Sequence, residues 1–330
     1  MAKKTEKKPG IKNISLNKAK SVKNDEFYTR LTDITEECKH YEEHFRGKVI
    51  LCNCDDPRVS NFFRYFFTSF YRLGLKKIIS VCYKNLNPDL FSQHKDEQAV
   101  YCVYEGKNRT DDVIEDGDYE AFVKKNEWQM LKGDGDFRSA ECIELLKQAD
   151  VVVTNPPFSL FREFVAQLMQ YSKQFLIVGN DNAITYKEIF PLIKDNKLWR
   201  GYERVKQFIT DKGEIKDFGN VGWYTNLDVS YRHKEMFLWC RYSPDKYPHY
   251  DNYDAIEVHK LAEIPSDWDG CMGVPITFIE KFSPNQFEIV GNAGCYAPEG
   301  YSLHSAIYVN GNKIYKRIIV RNLKPEKKTA

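Results

Sequence analysis

One short run constrains the fold of this chain more than any other: residues 150–158, which read Asp-Val-Val-Val-Thr-Asn-Pro-Pro-Phe. The three valines after Asp150 predict a strand buried inside a parallel sheet. Pro156 and Pro157 cannot continue that strand, because neither has a backbone N–H to give to the ladder. The sequence therefore places the Asn155 side chain at the carboxyl end of a strand, where open α/β sheets bind their ligands.

The turn after this strand has the groups needed to hold an exocyclic amine for methylation. Such a nitrogen is a poor nucleophile, because its lone pair is delocalised into the ring. Two acceptors, the Asn155 side-chain oxygen and the Pro156 carbonyl, would pull it toward tetrahedral geometry. Phe158 would stack on the ring. The alternative is a simple turn with Phe158 in the core, but the strand, Asn, two prolines and aromatic together favour methylation.

The four residues 155–158 resemble the catalytic box of the amino-group methyltransferases that use S-adenosylmethionine. The box by itself leaves three substrates open, namely the N6 of DNA adenine, the N2 of RNA guanine and a protein glutamine. A further alternative is a DNA-binding protein that keeps the fold and does no chemistry.

Composition limits the class of protein. The chain has 330 residues, 42% of them hydrophobic and 29% charged, with a net charge of +2. These values are typical of one or two globular domains, and no apolar run is long enough to span a bilayer. The N-terminus is rich in lysine and lacks the apolar segment of a secretory signal. Nine cysteines without a Cys-x-x-Cys pair predict reduced thiols, a cytoplasmic location and no metal site.

The order of elements predicts an α/β fold with a doubly wound, mostly parallel sheet. Asp56 and Ser139 are the expected N-caps of two of its helices. Two runs, 205–210 and 221–227, are expected to pair antiparallel at the edge of the sheet. The other expected strands are 48–53, 77–82, 128–131 and 174–178, and the expected helices are 57–74, 139–148 and 160–171.

Six runs, in order along most of the chain, resemble the EcoRI-type adenine-specific DNA methyltransferases. They are Asp-Glu-Phe-Tyr-Thr at 25–29, Cys-Asn-Cys-Asp-Asp-Pro-Arg-Val-Ser-Asn-Phe-Phe at 52–63, Gly-Asp-Gly-Asp-Phe-Arg-Ser at 133–139, the run at 152–163 around the Asn-Pro-Pro-Phe box, Thr-Asn-Leu-Asp at 225–228 and Met-Gly-Val-Pro-Ile-Thr-Phe at 272–278. Together these runs are far more specific than the four-residue box.

The resemblance implies a class I S-adenosylmethionine-dependent methyltransferase fold with an antiparallel edge strand, and N6-methylation of an adenine extruded from double-stranded DNA. The catalytic residues that it implies are Asn155, Pro156, Pro157 and Phe158. The cofactor-binding residues that it implies are Phe27, Tyr28, Thr29, Asp55, Asp56, Asp136 and Phe137.

Most of these cofactor residues have a simpler structural explanation. Asp136, in a Gly-rich run, could make only an Asx-turn. Asp56 could only cap a helix, and Phe27 and Tyr28 could only be part of the core. A glycine-rich loop after the first strand and an acidic residue at the end of the second are both missing, so the residue that holds the cofactor ribose is not predicted.

Charge and composition predict an organisation for the chain. Residues 1–24, with eight lysines and one glutamate, are expected to be a basic flexible arm, either a solvated tail or a segment that ranges over phosphates. Residues 25–235 are expected to form the catalytic domain, and residues 236–330 a DNA-recognition region. We expect a monomer, with a cognate restriction endonuclease as a possible member of the same system.

Overall fold

The computed structural model describes residues 27–54, 56–83, 99–106, 114, 116–125, 128–210, 214–294, 298–303 and 306–327. The predicted basic arm at 1–24 and the cofactor candidate Asp55 lie outside the described residues.

Short strands outnumber helices. The strands are β1 (Phe27–Thr29), β2 (Val49–Cys52), β3 (Lys77–Val81), β4 (Val100–Tyr104), β5 (Gln129–Met130), β6 (Val151–Thr154), β7 (Gln174–Asn180), β8 (Trp199–Arg204), β9 (Gln207–Thr210), β10 (Ile215–Asp217), β11 (Val221–Thr225), β12 (Ile256–Glu257), β13 (Cys271–Pro275), β14 (Phe287–Ala293), β15 (Ile307–Val309), β16 (Asn312–Ile314) and β17 (Arg317–Asn322). The α-helices are α1 (Leu31–Cys38), α2 (Glu42–Phe45), α3 (Asn61–Thr68), α4 (Asp116–Lys125), α5 (Ala140–Gln148), α6 (Phe161–Gln170) and α7 (Phe190–Lys194). Six 3-10 helices complete the described elements: Lys39–Tyr41, Phe158–Leu160, Asp181–Thr185, Ser230–His233, Leu261–Glu263 and Ile276–Lys281.

The largest sheet has eight strands in the order β5-β4-β3-β2-β6-β7-β11-β8. Its four central strands, β3, β2, β6 and β7, are parallel to one another. Buried apolar side chains fill these strands, as expected for a sheet that is covered on both faces. The chain is therefore a mixed α/β protein built around a large mixed sheet.

The prediction of a mostly parallel sheet with one antiparallel edge strand was right for the centre and wrong for the flanks. On one side, β4 pairs antiparallel with β3 and with β5. On the other, β11 pairs antiparallel with both β7 and β8. The expected third strand, β5, has two residues, whereas β4 contributes a Val-Tyr-Cys-Val-Tyr run that suits a pleated surface. Thus β4 takes the place beside β3.

A separate three-stranded sheet corrects the predicted edge pair. β9 does not pair with β11; it lies between β1 and β10, antiparallel to both. β8 takes its place as the partner of β11 at the edge of the main sheet. The ring of Phe208, in β9, is fully buried and packs edge-on against Phe218 at 5.0 Å between centroids. This contact draws β9 into the small sheet.

Two helix starts show where capping was predictable. Ser139 caps α5 as expected, since its hydroxyl accepts a hydrogen bond from the backbone N–H of Cys142 at 3.2 Å. The first long helix begins later than predicted. Ser60, rather than Asp56, caps α3 by accepting from the N–H of Phe63 at 3.0 Å. The Asp56 carboxylate instead binds Arg58, two residues on.

The C-terminal strands form a second sheet in the order β12-β13-β17-β14 and a hairpin of β15 and β16. The Phe282 ring stacks on Trp199 of β8 at 5.9 Å, with 14° between the ring planes. Arg204 also joins the two parts, since it forms ion pairs with both Asp181 and Glu280. Among the described residues, no helix combines the length and the apolar character that crossing a membrane requires.

Glu37, on α1, is a fully buried carboxyl group that ties this helix to β8. It accepts hydrogen bonds from the Tyr41 hydroxyl at 2.9 Å and from the backbone N–H groups of Tyr202 and Glu203 at 3.0 and 2.6 Å. Burial nevertheless raises its pKa from 4.5 to about 7, because desolvation disfavours the charged form.

The raised pKa of Glu37 predicts a loss of stability with rising pH. The folded state favours the protonated carboxyl, so its contribution is complete below pH 4.5 and is lost as the pH rises through about 7. Between about pH 5 and pH 8 this group should lower the free energy of unfolding by on the order of 2 kcal/mol. Urea unfolding of the wild type and of Glu37→Gln across this range checks it. The variant should be less stable overall but flatter with pH, and two parallel curves would contradict the prediction.

Candidate active site

The carboxyl ends of the four central strands meet at one edge of the large sheet. β2 is the point where the winding reverses, because the next strand in the chain, β3, lies on one side of it and β6 lies on the other. Ligands of open α/β sheets bind at such a reversal. The hydroxyl of Thr154, the last residue of β6, donates a hydrogen bond to the carbonyl of Asn53, just past β2. The Asn53 side chain in turn accepts from the N–H of Cys54 at 2.9 Å.

The four predicted catalytic residues form one turn that leaves β6 at this edge. Pro156 is buried, and the side-chain oxygen of Asn155 is buried as well. Phe158 is 36% exposed and begins a 3-10 turn that leads into α6. Its ring lies edge-on to Phe208 of the small sheet, 6.4 Å between centroids. A partly exposed aromatic ring therefore lies in the same turn as the buried side-chain oxygen of Asn155.

A glycine-rich loop after β5 reaches the end of β3. Gly135 has φ +79°, a conformation that residues other than glycine rarely adopt, and a Cβ there would overlap the carbonyl oxygen of Cys82. The loop is held by two successive Asx-turns. Asp134 accepts from the N–H of Asp136 at 2.9 Å, and Asp136 accepts from the N–H of Arg138 at 2.8 Å. The close approach to β3 therefore requires glycine.

The Asp136 carboxylate also binds the guanidinium of Arg138, at 2.7 Å between Oδ2 and Nη2. Hydrogen bonding by Arg138 holds the pKa of Asp136 below its ordinary value, so the group is ionised at neutral pH. Arg138 extends to Glu163 on α6 at 2.8 Å. Arg138 therefore fixes the Asp136 carboxylate as a hydrogen-bond acceptor close to Tyr83, just past β3.

The Asp56 carboxylate has the same relation to Arg58 that Asp136 has to Arg138. Oδ2 of Asp56 lies 2.6 Å from Nη2 of Arg58, and the Arg58 backbone N–H donates to Oδ1 at 3.0 Å. Burial opposes ionisation of Asp56, but the hydrogen bonds from Arg58 outweigh it and its pKa lies below the ordinary value. Two Asp–Arg pairs, one after β2 and one after β5, therefore flank the end of β3.

Tyr83, just past β3, lies close to both of these loops. Burial raises its pKa, and the negative charges of Asp134 and Asp136 raise it further. The side chain is 42% exposed. Phe137 points the other way: it is 3% exposed and packs edge-on against Phe164 of α6 at 5.0 Å. The structure therefore makes Phe137 an anchor of the loop and leaves Tyr83 as the accessible ring.

β1, which holds the remaining predicted cofactor residues, lies against the start of α3. The side chain of Asn61, the first residue of α3, donates to the Thr29 carbonyl at 2.8 Å. Thr29 is 2% exposed, and no described residue offers its hydroxyl a hydrogen-bond partner. A buried hydroxyl of this kind normally has a partner. Tyr28 is half-buried, and Phe27 pairs with Thr210 of β9.

Sequence reasoning missed the partners of the predicted residues. Arg58 and Arg138 each bind the aspartate two positions earlier, and the repeated Asp-x-Arg spacing is a signal that was present in the sequence. Phe208, which contacts Phe158, lies fifty positions further along the chain. No local pattern could have identified it.

A large mixed α/β sheet with an Asn-Pro-Pro-Phe turn at its central edge is consistent with a methyltransferase fold. The chain belongs to the family described as adenine-specific methyltransferase EcoRI, whose family model matches residues 15–324.

Three relatives named as type II methyltransferases are similar over most of the chain. M.EcoRI of Escherichia coli is 44% identical, over 94% of this chain and 97% of its own. M.MgeORF184P of Mycoplasma genitalium is 37% identical, over 92% of this chain and 98% of its own. M.MpnI of Mycoplasma pneumoniae is 38% identical, over 83% of this chain and 84% of its own. No solved structure matches the chain.

These similarities decide among the alternatives that the four-residue box leaves open. The chain is an adenine-specific DNA methyltransferase, so the predicted enzyme class is confirmed. Methylation of RNA guanine-N2, methylation of protein glutamine and DNA binding without catalysis are not the function of this family. Such an enzyme needs a methyl donor and acts on DNA.

The close approach of the glycine-rich loop to β3 predicts an unequal effect of two matched substitutions. Gly135→Ala should lower the free energy of unfolding by more than about 1 kcal/mol, because φ is positive there and the Cys82 backbone must shift. It should also weaken donor binding about tenfold, roughly 1.4 kcal/mol. Titration calorimetry with S-adenosylmethionine and thermal unfolding check both effects.

Gly133→Ala, in the same loop, is the control, because the nearest atom to a Cβ there is Oε2 of Glu141 at 3.5 Å. It should leave both quantities close to wild type. Equal stability and equal donor binding of the two variants would contradict the expected role of the loop in binding the methyl donor.

Proposed function

We propose that this enzyme transfers a methyl group from S-adenosylmethionine to the exocyclic N6 of an adenine extruded from double-stranded DNA. The observation that carries the proposal is the position of the Asn155–Pro156 turn. It leaves β6 beside β2, where the winding of the parallel strands reverses.

Asn155 and Pro156 would hold the target amino group. The Asn155 side-chain oxygen and the Pro156 carbonyl accept its two hydrogens and direct the nitrogen lone pair away from the ring plane. Pro157 keeps the turn from continuing as a strand, so both acceptors stay in place. Because the acceptors are fixed before the base arrives, positioning supplies much of the rate.

Phe158 would receive the extruded base. Taking a base out of the duplex costs a few kcal/mol, and stacking on an aromatic side chain recovers about 1–3 kcal/mol. The ring is partly exposed and lies in a T-shaped contact with Phe208 of the small sheet.

The residues around the ends of β2 and β3 fit the proposed cofactor. The buried hydroxyl of Thr29, which finds no partner among the described residues, suits the methionine carboxylate. The ionised Asp56 suits the ammonium group, with Asp55 beside it in sequence, while Phe27 and Tyr28 would close over this end. Asp136 is ionised and suits the adenine amino group. Phe137, buried against Phe164, would anchor the loop that carries Asp136.

When bound, S-adenosylmethionine supplies a methyl group on a positively charged sulfonium. Thr29, Asp56 and Asp136 would hold the donor near the Asn155 turn. No residue of the chain needs to form a covalent bond with the base.

The proposed function also implies an organisation for the whole chain. The four parallel strands followed by antiparallel β11 support a class I methyltransferase fold for residues 25–235. Residues 236–330, packed on β8 through Phe282, would form the DNA-recognition region. We further propose a cytoplasmic monomer that belongs to a restriction–modification system with a cognate endonuclease. The type II names of the relatives support that setting.

Replacement of Asn155 tests the proposed chemistry. Asn155→Ala removes one of the two acceptors, so turnover should fall by at least about 100-fold, while binding of S-adenosylmethionine stays close to wild type. Single-turnover methylation of duplex DNA and calorimetric titration of the cofactor measure the two effects separately.

Asn155→Asp is the matched variant, because it keeps an oxygen acceptor at the same position. It should retain more activity than Asn155→Ala. A wild-type rate for Asn155→Ala would refute the proposed role of the turn.

A further inference from the structure

A groove of about 440 Å³ opens between the described catalytic part of the chain and its C-terminal part. Its lining residues are Arg162, Thr185, Tyr186, Lys187, Glu188 and Lys316. Three of these six carry a positive charge and one carries a negative charge, whereas the chain as a whole is nearly neutral. The groove is therefore locally basic.

Each wall of the groove is tied to the edge that holds the active-site turn. Arg162 lies in the first turn of α6, which begins three residues after Phe158. Thr185 ends the 3-10 helix that follows β7, next to β6 in the sheet. Lys316 comes from the C-terminal part, between β16 and β17, and its Nζ reaches the Thr185 hydroxyl at 3.4 Å. The groove thus lies between the catalytic part and the C-terminal part, on the side of the turn at residues 155–158.

The charged groups of the groove lie close to one another. The Arg162 guanidinium lies over the Tyr186 ring at 5.5 Å, and both it and Lys187 approach Glu188 at 3.7 and 3.8 Å. The side chains of Arg162 and Lys187 are about half exposed, at 52% and 51%. With Lys316, the lining holds three cationic side chains and one carboxylate. These charges suit an extended ligand that carries several negative charges along its length, rather than a single small anion.

We propose that this groove binds consecutive phosphates of the DNA strand that carries the target adenine. The inference rests on the proposed function and names the surface that holds the strand. An extruded nucleotide stays attached to its backbone, so the phosphates on its flank must pass beside the turn at residues 155–158. Lysine and arginine contacts to phosphates position a duplex without reading its sequence. Lys316 would link this contact to the C-terminal part of the chain.

Salt dependence of DNA binding tests the groove. Each lost phosphate contact lowers the slope of log K against log salt by about 0.9. The double variant Lys187→Gln/Lys316→Gln should therefore bind duplex DNA more weakly, with a slope shallower by about 1.8, and should bind S-adenosylmethionine as the wild type does. Fluorescence anisotropy with a labelled duplex, at several salt concentrations, gives affinity and slope together.

Two further variants make the test specific. Lys76→Gln removes the same charge just before β3, at the opposite edge of the sheet, and should leave the slope unchanged. Glu188→Gln removes the carboxylate inside the groove and should tighten DNA binding. Lys187 is about half exposed and Lys316 is partly exposed, so neither substitution should unfold the chain, and thermal unfolding checks this.

The outcomes separate the groove from the proposed function. If the wild type methylates adenine in DNA but the double variant keeps the wild-type slope, or behaves as Lys76→Gln does, the groove does not hold the strand. A double variant that loses binding of free phosphate or nucleotide without a change in slope would give the groove a small anion instead, and would also overturn the inference. If the wild type fails to bind or methylate DNA, it is the proposed function that fails.

Discussion

The hydrogen bond from the Thr154 hydroxyl to the Asn53 carbonyl joins the ends of the two strands on which the active site depends. Both residues are buried, so the bond is sheltered from water and the two strand ends cannot move apart without leaving polar groups unpaired. One strand end carries the Asn155 turn, and the other leads to Asp56. A target amine and a methyl donor bound at these two places would therefore be held in one fixed relation.

Three further segments are arranged around that pair of strand ends. The glycine-rich loop can approach because Gly135 has no side chain to meet the Cys82 carbonyl. The small sheet approaches from the other side, where Phe208 supports Phe158 and β1 contacts the start of α3. The C-terminal part is attached through Arg204, which bridges Asp181 and Glu280. The Cys82, Phe158 and Asp181 contacts each lie within a few residues of a central strand's carboxyl end, so the three segments meet the same edge of the sheet.

Local features of the fold were readable from the sequence, and long-range ones were not. β2, β3, β6 and β7 follow from runs of apolar residues, and the cap at Ser139 follows from hydrogen-bonding chemistry within four positions. The cap at Asp56 was wrong, because Arg58 competes for that carboxylate and Ser60 replaces it. The partner of β9 was also wrong, because its pairing with β1 joins segments about 180 positions apart. For the site, the turn at 155–158 was readable, whereas Phe208 comes together with it only in the folded chain.

The proposed N6 methylation of adenine in DNA can be tested on its product. Label is transferred from S-adenosylmethionine into duplex DNA that lacks the modification, and the DNA is then digested to identify the labelled nucleoside. We expect N6-methyladenine, and sequencing of the same DNA would then give the recognition site. Label in another nucleoside, or in RNA or protein with none in DNA, would contradict it.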